Sequence, residues 1–285
     1  MSAGYDRPEA LVETGWLADH LGDADLCVLD ASYHLPAAKR DARAEYGARH
    51  IPGARFFDID ATSDRGSPLP HMLPSPEDFA AAVGALGVGN GSMVVVYDVY
   101  GLMSAARAWW MFRVFGHDRV AVLNGGLPKW LAENRRVSDE LPVVETRVFS
   151  VQYRSELVRD MNAVKAQRTA DAGAVVDARA PERFAGAAEE VWPGRRRGHI
   201  PGSRNVPYTD LIDPVAKTLV PAEAIRRRFA AAGVDLDAPP VFSCGSGITA
   251  CALALGAFLV GQDRGAVYDG SWAEWGLPGP NPVEP

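Results

Sequence analysis

Short strings recur in the same order in the two halves of this chain, and that repetition constrains the fold more than any other feature. V-L-D-A-S at 28–32 answers V-V-D-A-R at 175–179, and H-I-P-G at 50–53 answers H-I-P-G at 199–202. L-G-V at 86–88 is matched by A-G-V at 232–234, and N-G-G-L-P-K-W at 124–130 by D-G-S-W-A-E-W at 269–275. The offsets of 147, 149, 146 and 145 residues drift by only a few positions, as expected of one unit used twice. Two tandem domains are therefore predicted, residues 1–138 and 158–285, joined by a polar, turn-poor linker over 139–157. With 285 residues in all, each half is long enough to bury a core of its own.

Within each half, short apolar runs alternate with helical patterns. M-V-V-V-Y at 93–97 and the run from Pro240 to Ser243 suit strands of a parallel sheet covered on both faces. Ser75, Pro76 and Glu77 supply an N-cap, a first-turn proline and an early carboxylate. Phe79, Val83 and Leu86 then share one face until Gly87 ends the helix. Pro221 to Gly233 repeats that design. The predicted fold class is α/β, each half a doubly wound, mainly parallel sheet with helices on both faces.

Composition narrows the function. A net charge of −7 disfavours nucleic acid as the main partner, and the arginine run at 226–228 reads as the solvated face of a helix. Three cysteines, Cys27, Cys244 and Cys251, are too few for a disulfide framework and lack the paired spacing of a zinc site. No metal or other cofactor is expected. The N-terminal residues carry no signal-like pattern, and no apolar run approaches the ~20 residues that span a bilayer. A cytoplasmic protein without membrane association is the expectation.

The segment V-F-S-C-G-S-G-I-T-A-C-A-L at 241–253 carries the chemistry. Cys244 stands where a strand stops, which is where ligands bind in this architecture. Gly245 and Gly247 allow a tight arc with N–H groups turned inward, and a helix starting near Ile248 adds the positive end of its dipole. An anion at the centre is stabilised, and for a cysteine that anion is its thiolate, the nucleophilic form. Cys251, between two alanines on the following helix, reads as core, as does Cys27. The first half has V-V-V-Y-D-V-Y-G at the matching strand end, with Asp98 in place of the cysteine. Only the second half is expected to react. A cysteine phosphatase would need an arginine six residues after the nucleophile to grip phosphoryl oxygens, and that position is Ala250.

Tandem α/β repeats, H-I-P-G in each, Asp98 opposite Cys244 and C-G-S-G-I-T together resemble the rhodanese-like sulfurtransferases over nearly the whole chain. The loop C-G-S-G-I-T-A and the stretch F-F-D-I-D-A-T-S-D-R-G-S-P-L-P-H-M-L-P at 56–74 are similar to the branch that uses 3-mercaptopyruvate. The resemblance implies sulfur transfer through a Cys244 persulfide, with release of pyruvate and delivery to a thiol, cyanide or a thioredoxin-like acceptor. Neutral Gly245 and Ser246 agree, since a thiosulfate dianion would favour cationic loop residues.

By the same resemblance, Ser246, His71 and Asp60 form a proton relay, with Asp60 and His71 supplied by the first half across a cleft. Arg183 takes the donor carboxylate, and Gly245, Gly247, Ile248 and Thr249 line the donor site. A second family arginine falls at Trp192 here; Arg195 could substitute for it, or Trp192 could mark a different donor preference. A thiosulfate sulfurtransferase and a non-catalytic persulfide carrier remain the alternatives. The two H-I-P-G histidines, His50 and His199, occur in both halves and read as structural.

Overall fold

The computed structural model describes residues 3–169 and 173–285. Ten strands form two five-stranded sheets in which every pairing is parallel. The first contains β1 (Leu11–Val12), β2 (Leu26–Asp30), β3 (Arg55–Phe56), β4 (Met93–Tyr97) and β5 (Val120–Leu123) in the order β1-β5-β4-β2-β3. The second contains β6 (Val158–Arg159), β7 (Val175–Asp177), β8 (Arg204–Asn205), β9 (Val241–Ser243) and β10 (Ala266–Tyr268) in the order β6-β10-β9-β7-β8. The two orders are the same path drawn twice, so the duplication read from short strings is a duplication of topology. Val94, Val95 and Val96 of β4 are fully buried, as a central strand covered on both faces requires.

Local signals place the helices. Ser75 caps the helix Pro76–Ala85 by accepting the Asp78 N–H at 3.1 Å, and Phe79 and Val83 face the core. Gly87, at φ +73°, turns the chain out of it. The matching helix Ala222–Ala231 buries Ala222, Ile225 and Phe229 and is followed by Gly233 at φ +72°. His50 and His199 have the structural place expected of them. Each pairs its backbone with a later segment, Ser138 and Glu284 respectively, and directs its ring Nδ1 at a backbone carbonyl, of Tyr46 and of Phe184.

The expectation that each half has a core of its own is corrected. The helices following the central strands, Ala105–Val114 and Ala250–Leu259, pack against each other, and all ten residues of the second are buried. A helix apolar on every face needs a partner on every face, and the first domain supplies one of them. Trp109 meets the Phe258 ring edge-on at 5.4 Å between centroids, and the Arg113 guanidinium lies 4.1 Å above the same ring. One hydrophobic cluster therefore runs through both halves, while Leu17, Ile51 and Trp130 on one side and Val164, Trp272 and Trp275 on the other form smaller clusters on the outer faces. The linker is strapped along the first domain by Arg147 N–H to Gly84 O (3.0 Å) and Arg154 N–H to Val114 O (2.8 Å), with Phe149 tucked among Phe79 and Phe112. Only glycine fits at position 84, because a Cβ there would lie 2.5 Å from the Arg147 carbonyl oxygen. Residues at the N-terminus reach the second domain, Tyr5 donating to Val220 O and the Asp6 N–H to Leu259 O, both at 2.9 Å. No helix among the described residues is long and apolar enough to cross a membrane.

A shared core makes the halves one cooperative unit. Trp109→Ala is expected to cost about 3–5 kcal/mol, the usual range for deleting a buried tryptophan, in a single urea transition seen identically by probes in either domain. Two separated transitions, with only the first shifted, would show that the halves are independent.

Candidate active site

Both central strands run into a loop, and the two loops differ in what stands at the strand end. In the first half that place is taken by the buried carboxylate of Asp98. Its Oδ1 accepts the N–H groups of Tyr100 and Gly101, both at 2.8 Å, and its Oδ2 those of Met103, Ser104 and Ala105 at 2.7, 2.8 and 2.8 Å. Five amides and the start of the helix Ala105–Val114 close on one negative charge, the arrangement by which backbone concavities hold anions. In the second half Cys244 stands at the corresponding place. Among the described residues, none of the N–H groups from Gly245 to Ala250 donates to a protein oxygen.

The second loop is anchored from outside. The Cys244 N–H donates to Ser271 Oγ at 3.1 Å, the Cys244 carbonyl accepts from Trp272 N–H at 2.9 Å, and the Gly245 carbonyl from Ala273 N–H at 2.8 Å. Ser271 holds its hydroxyl there at φ +48°, a left-handed conformation that serine adopts at a cost, and passes its own proton to Tyr268 O. Gly247, at φ +80°, is the glycine that the bend requires, since a Cβ would come within 2.8 Å of the Asp269 carbonyl. The helix begins at Ala250, two residues later than expected; Ile248 and Thr249 instead make a turn whose carbonyls accept from Cys251 and Ala252. Cys251 lies beneath, its thiol directed at Gly247 O (3.1 Å), and burial pushes that thiol far above its usual value. It stays protonated and unreactive, in keeping with a core role.

The residues expected from the first half meet this loop. His71 directs Nδ1 at Ser246 Oγ (2.9 Å), a contact across the domain boundary, and its Nε2 lies at ion-pair distance from Asp60 Oδ1 (3.2 Å), so the three groups follow one another in a row. The imidazole is buried, whereas the Asp60 side chain is 67% exposed, which connects the row to solvent at one end only. Tyr33 and Trp192 present ring faces and edges to His71 at 4.8 and 5.5 Å and seal its flanks.

A pocket of about 140 Å³ opens over Cys244, between Tyr33, Leu35 and Met103 of the first half and Arg183, Trp192 and Tyr208 of the second. Gly245, Ser246, Ile248 and Thr249 line it as well; Gly247 faces the domain boundary instead. Arg183 lies against the loop, its Nη2 3.0 Å from where a Cβ on Gly245 would be. The same nitrogen donates to Glu190, a buried carboxylate that sequence reasoning missed. The other oxygen of Glu190 accepts from Arg179 (2.7 Å), which is in turn forked onto Asp177. Two arginines thus face two carboxylates. Arg183 Nε is buried and has no partner among the described residues. Arg195 is not in the pocket: Nε and Nη1 donate to the carbonyls of Ala273 and Pro193. The place of a second cation is taken by the Trp192 ring.

Behind the loop lies a further residue that the sequence did not single out. Arg107, fully buried, donates through Nη1 to Asp269 (2.7 Å) and Gly247 O (3.3 Å) and through Nη2 to His71 O.

Known proteins agree with this architecture. The model of the rhodanese-like domain matches twice, at residues 13–133 and 156–277. The chain is 44% identical to the thiosulfate/3-mercaptopyruvate sulfurtransferase 2 of Arabidopsis thaliana, over 94% of this chain and 84% of that one. It is 46% identical to the 3-mercaptopyruvate sulfurtransferase of Homo sapiens, over 93% and 91%. The crystal structure of a 3-mercaptopyruvate sulfotransferase from Escherichia coli superimposes with a TM-score of 0.85 at 38% identity, covering 93% of this chain and 99% of that one. With the domain model matched in both halves and a cysteine loop in only the second, this chain belongs to the rhodanese-like family as a tandem-domain member.

Proposed function

We propose that the protein is a sulfurtransferase that takes sulfur from 3-mercaptopyruvate, holds it as a persulfide on Cys244 and passes it to a thiol acceptor. The observation that carries the choice of donor is the chain Asp60–His71–Ser246 ending at the cysteine loop. Sulfur abstraction from mercaptopyruvate moves a proton from the donor thiol to carbon; abstraction from thiosulfate moves none. A buried, solvent-linked relay beside the nucleophile serves the first reaction and is idle in the second.

Charge favours the same donor. Arg179 and Arg183 are matched by Asp177 and Glu190, so the pocket offers hydrogen bonds without an excess of positive charge. A monocarboxylate fits such a site better than a dianion. In this reading the donor carboxylate accepts from the Arg183 guanidinium, and its carbon chain rests among Tyr33, Met103 and Trp192. The Cys244 sulfur attacks the donor sulfur and the C–S bond breaks toward carbon. Pyruvate leaves as its enolate and receives, through Ser246 and His71, the proton given up by the donor thiol. The outer persulfide sulfur then carries the charge, and the inward N–H groups of the loop are its counterpart. Burial keeps the Tyr33 hydroxyl protonated beside the imidazole, so it adds no competing charge.

Pyruvate release from mercaptopyruvate is expected to exceed thiocyanate formation from thiosulfate and cyanide by about tenfold or more, equivalent to at least about 1.4 kcal/mol of discrimination, and Cys244→Ser to abolish both. Equal or reversed rates would overturn the donor assignment. Ser271 separates stability from positioning. Ser271→Ala is expected to lose about 1–2 kcal/mol with its two hydrogen bonds. Ser271→Gly, at ease at positive φ, recovers part of that stability, yet both slow pyruvate release because the Cys244 N–H is unpinned. A fully active glycine variant would show that this bond does not orient the nucleophile.

A further inference from the structure

We infer that Arg107 is a positioning residue for sulfur abstraction, a first-domain guanidinium that sets the His71 loop and the Cys244 loop in register with each other. The inference rests on the relay proposed above. Arg107 lies in the first turn of the helix Ala105–Val114, directly after the Asp98 loop, and its side chain is fully buried. Its three acceptors belong to the two segments that must meet and to the strand end beside them: His71 O in the first domain, Gly247 O in the nucleophile loop, and Asp269 after β10.

These contacts form a closed ring. Asp269 Oδ1 accepts from Arg107, while its Oδ2 accepts from Leu73 N–H at 2.7 Å. The N–H of residue 73 is thereby tied directly to the second domain, and the carbonyl of residue 71 is tied to it through Arg107. His71 itself sits at φ +60°, a conformation a histidine keeps only when its surroundings impose it. On the other loop, a Cβ at Gly247 would lie 3.1 Å from Arg107 Nη1 and 3.3 Å from Asp269 Oδ1, so the ion pair also shapes the bend carrying Ser246. The ring thus fixes the backbone of both partners of the 2.9 Å His71–Ser246 contact.

A buried ion pair adds little net stability over well-packed apolar side chains replacing both partners, because desolvation offsets most of the attraction, whereas removing one partner alone leaves the other charge buried and unpaired. Trp110, whose ring lies 4.6 Å from the Arg107 guanidinium, and the surrounding shared core could accommodate a methionine at 107. What a methionine cannot do is hold two carbonyls and a carboxylate. Register between the loops is what the charge supplies, and an error of about 1 Å in such geometry can slow an enzyme about 10²-fold.

The test is a double-mutant cycle on pyruvate release from mercaptopyruvate, using the full chain. Arg107→Met is expected to lower kcat about 10²-fold with little change in KM, and to lower it no more than about twofold further in a His71→Ala background, since residues acting as one unit are not additive. Arg107→Lys, which keeps the charge but not the fork, should fall between. Asp269→Asn, which keeps the shape and removes the partner charge, should behave as Arg107→Met does; Arg107→Met/Asp269→Asn, which removes both charges together, is the variant to use if either single variant does not fold. Equal fold-losses in the two backgrounds, or an unchanged kcat, would overturn the inference and leave the relay standing. If His71→Ala alone left pyruvate release intact, the relay reading would fall and this inference with it.

Discussion

A row of backbone N–H groups converging on one point at the end of a parallel strand is the interaction on which the rest of the molecule depends. Such a row is costly to leave without an acceptor, and the chain meets that need from within itself in the first domain. In the first domain Asp98 brings its own carboxylate to five amides and closes the loop for good. In the second, a smaller side chain stands at the same point and the amides stay unclaimed by protein oxygens.

Duplication also explains why the silent domain is retained. In the proposed mechanism the Cys244 loop needs a proton route and a wall, and both come from the other half: His71 and Asp60 on one side, Tyr33, Leu35 and Met103 around the pocket. The halves are held in place at two levels. The helices Ala105–Val114 and Ala250–Leu259 merge the cores, which fixes the domains to each other, and the Arg107–Asp269 ring fixes the loops. Aligning helices is non-directional work done by apolar area, whereas aligning loops takes directional bonds.

Much of this was legible in the residues. Repeated strings disclosed the two domains, and a cysteine followed by two glycines at a strand end pointed to the loop that lines the pocket, because each glycine and capping residue acts within a few positions of itself. Asp60, His71 and Arg183 entered only through the family resemblance, since nothing local distinguishes them from turn and surface residues. Other features were out of reach because they depend on long-range packing. Glu190 reads as one acid in an E-E-V stretch until Arg179 and Arg183 close on it, and Arg107 reads as an ordinary helical arginine until the second domain arrives. Cys251 between two alanines on the helix after Cys244 read as core, yet nothing local showed that the first domain would cover part of that helix, which is why the large cluster shared by both halves was not expected. Arg195 illustrates the reverse: its charge and spacing suggested the pocket, and its hydrogen bonds take it to the backbone of Ala273 and Pro193.

The most direct test of the loop as an anion cradle is to give the second domain the residue that closes the first. The measurement is the stability of Cys244→Asp against Cys244→Asn as a function of pH. If the loop amides hold charge as they do around Asp98, the aspartate variant is the more stable at neutral pH, by about 1.5–3 kcal/mol for charged hydrogen bonds. A carboxyl whose folded pKa is depressed confers that advantage above its unfolded value of about 3.9 and loses it as pH falls through the folded value. An aspartate variant no more stable than the asparagine variant at neutral pH, or a difference that does not change with pH, would contradict the account.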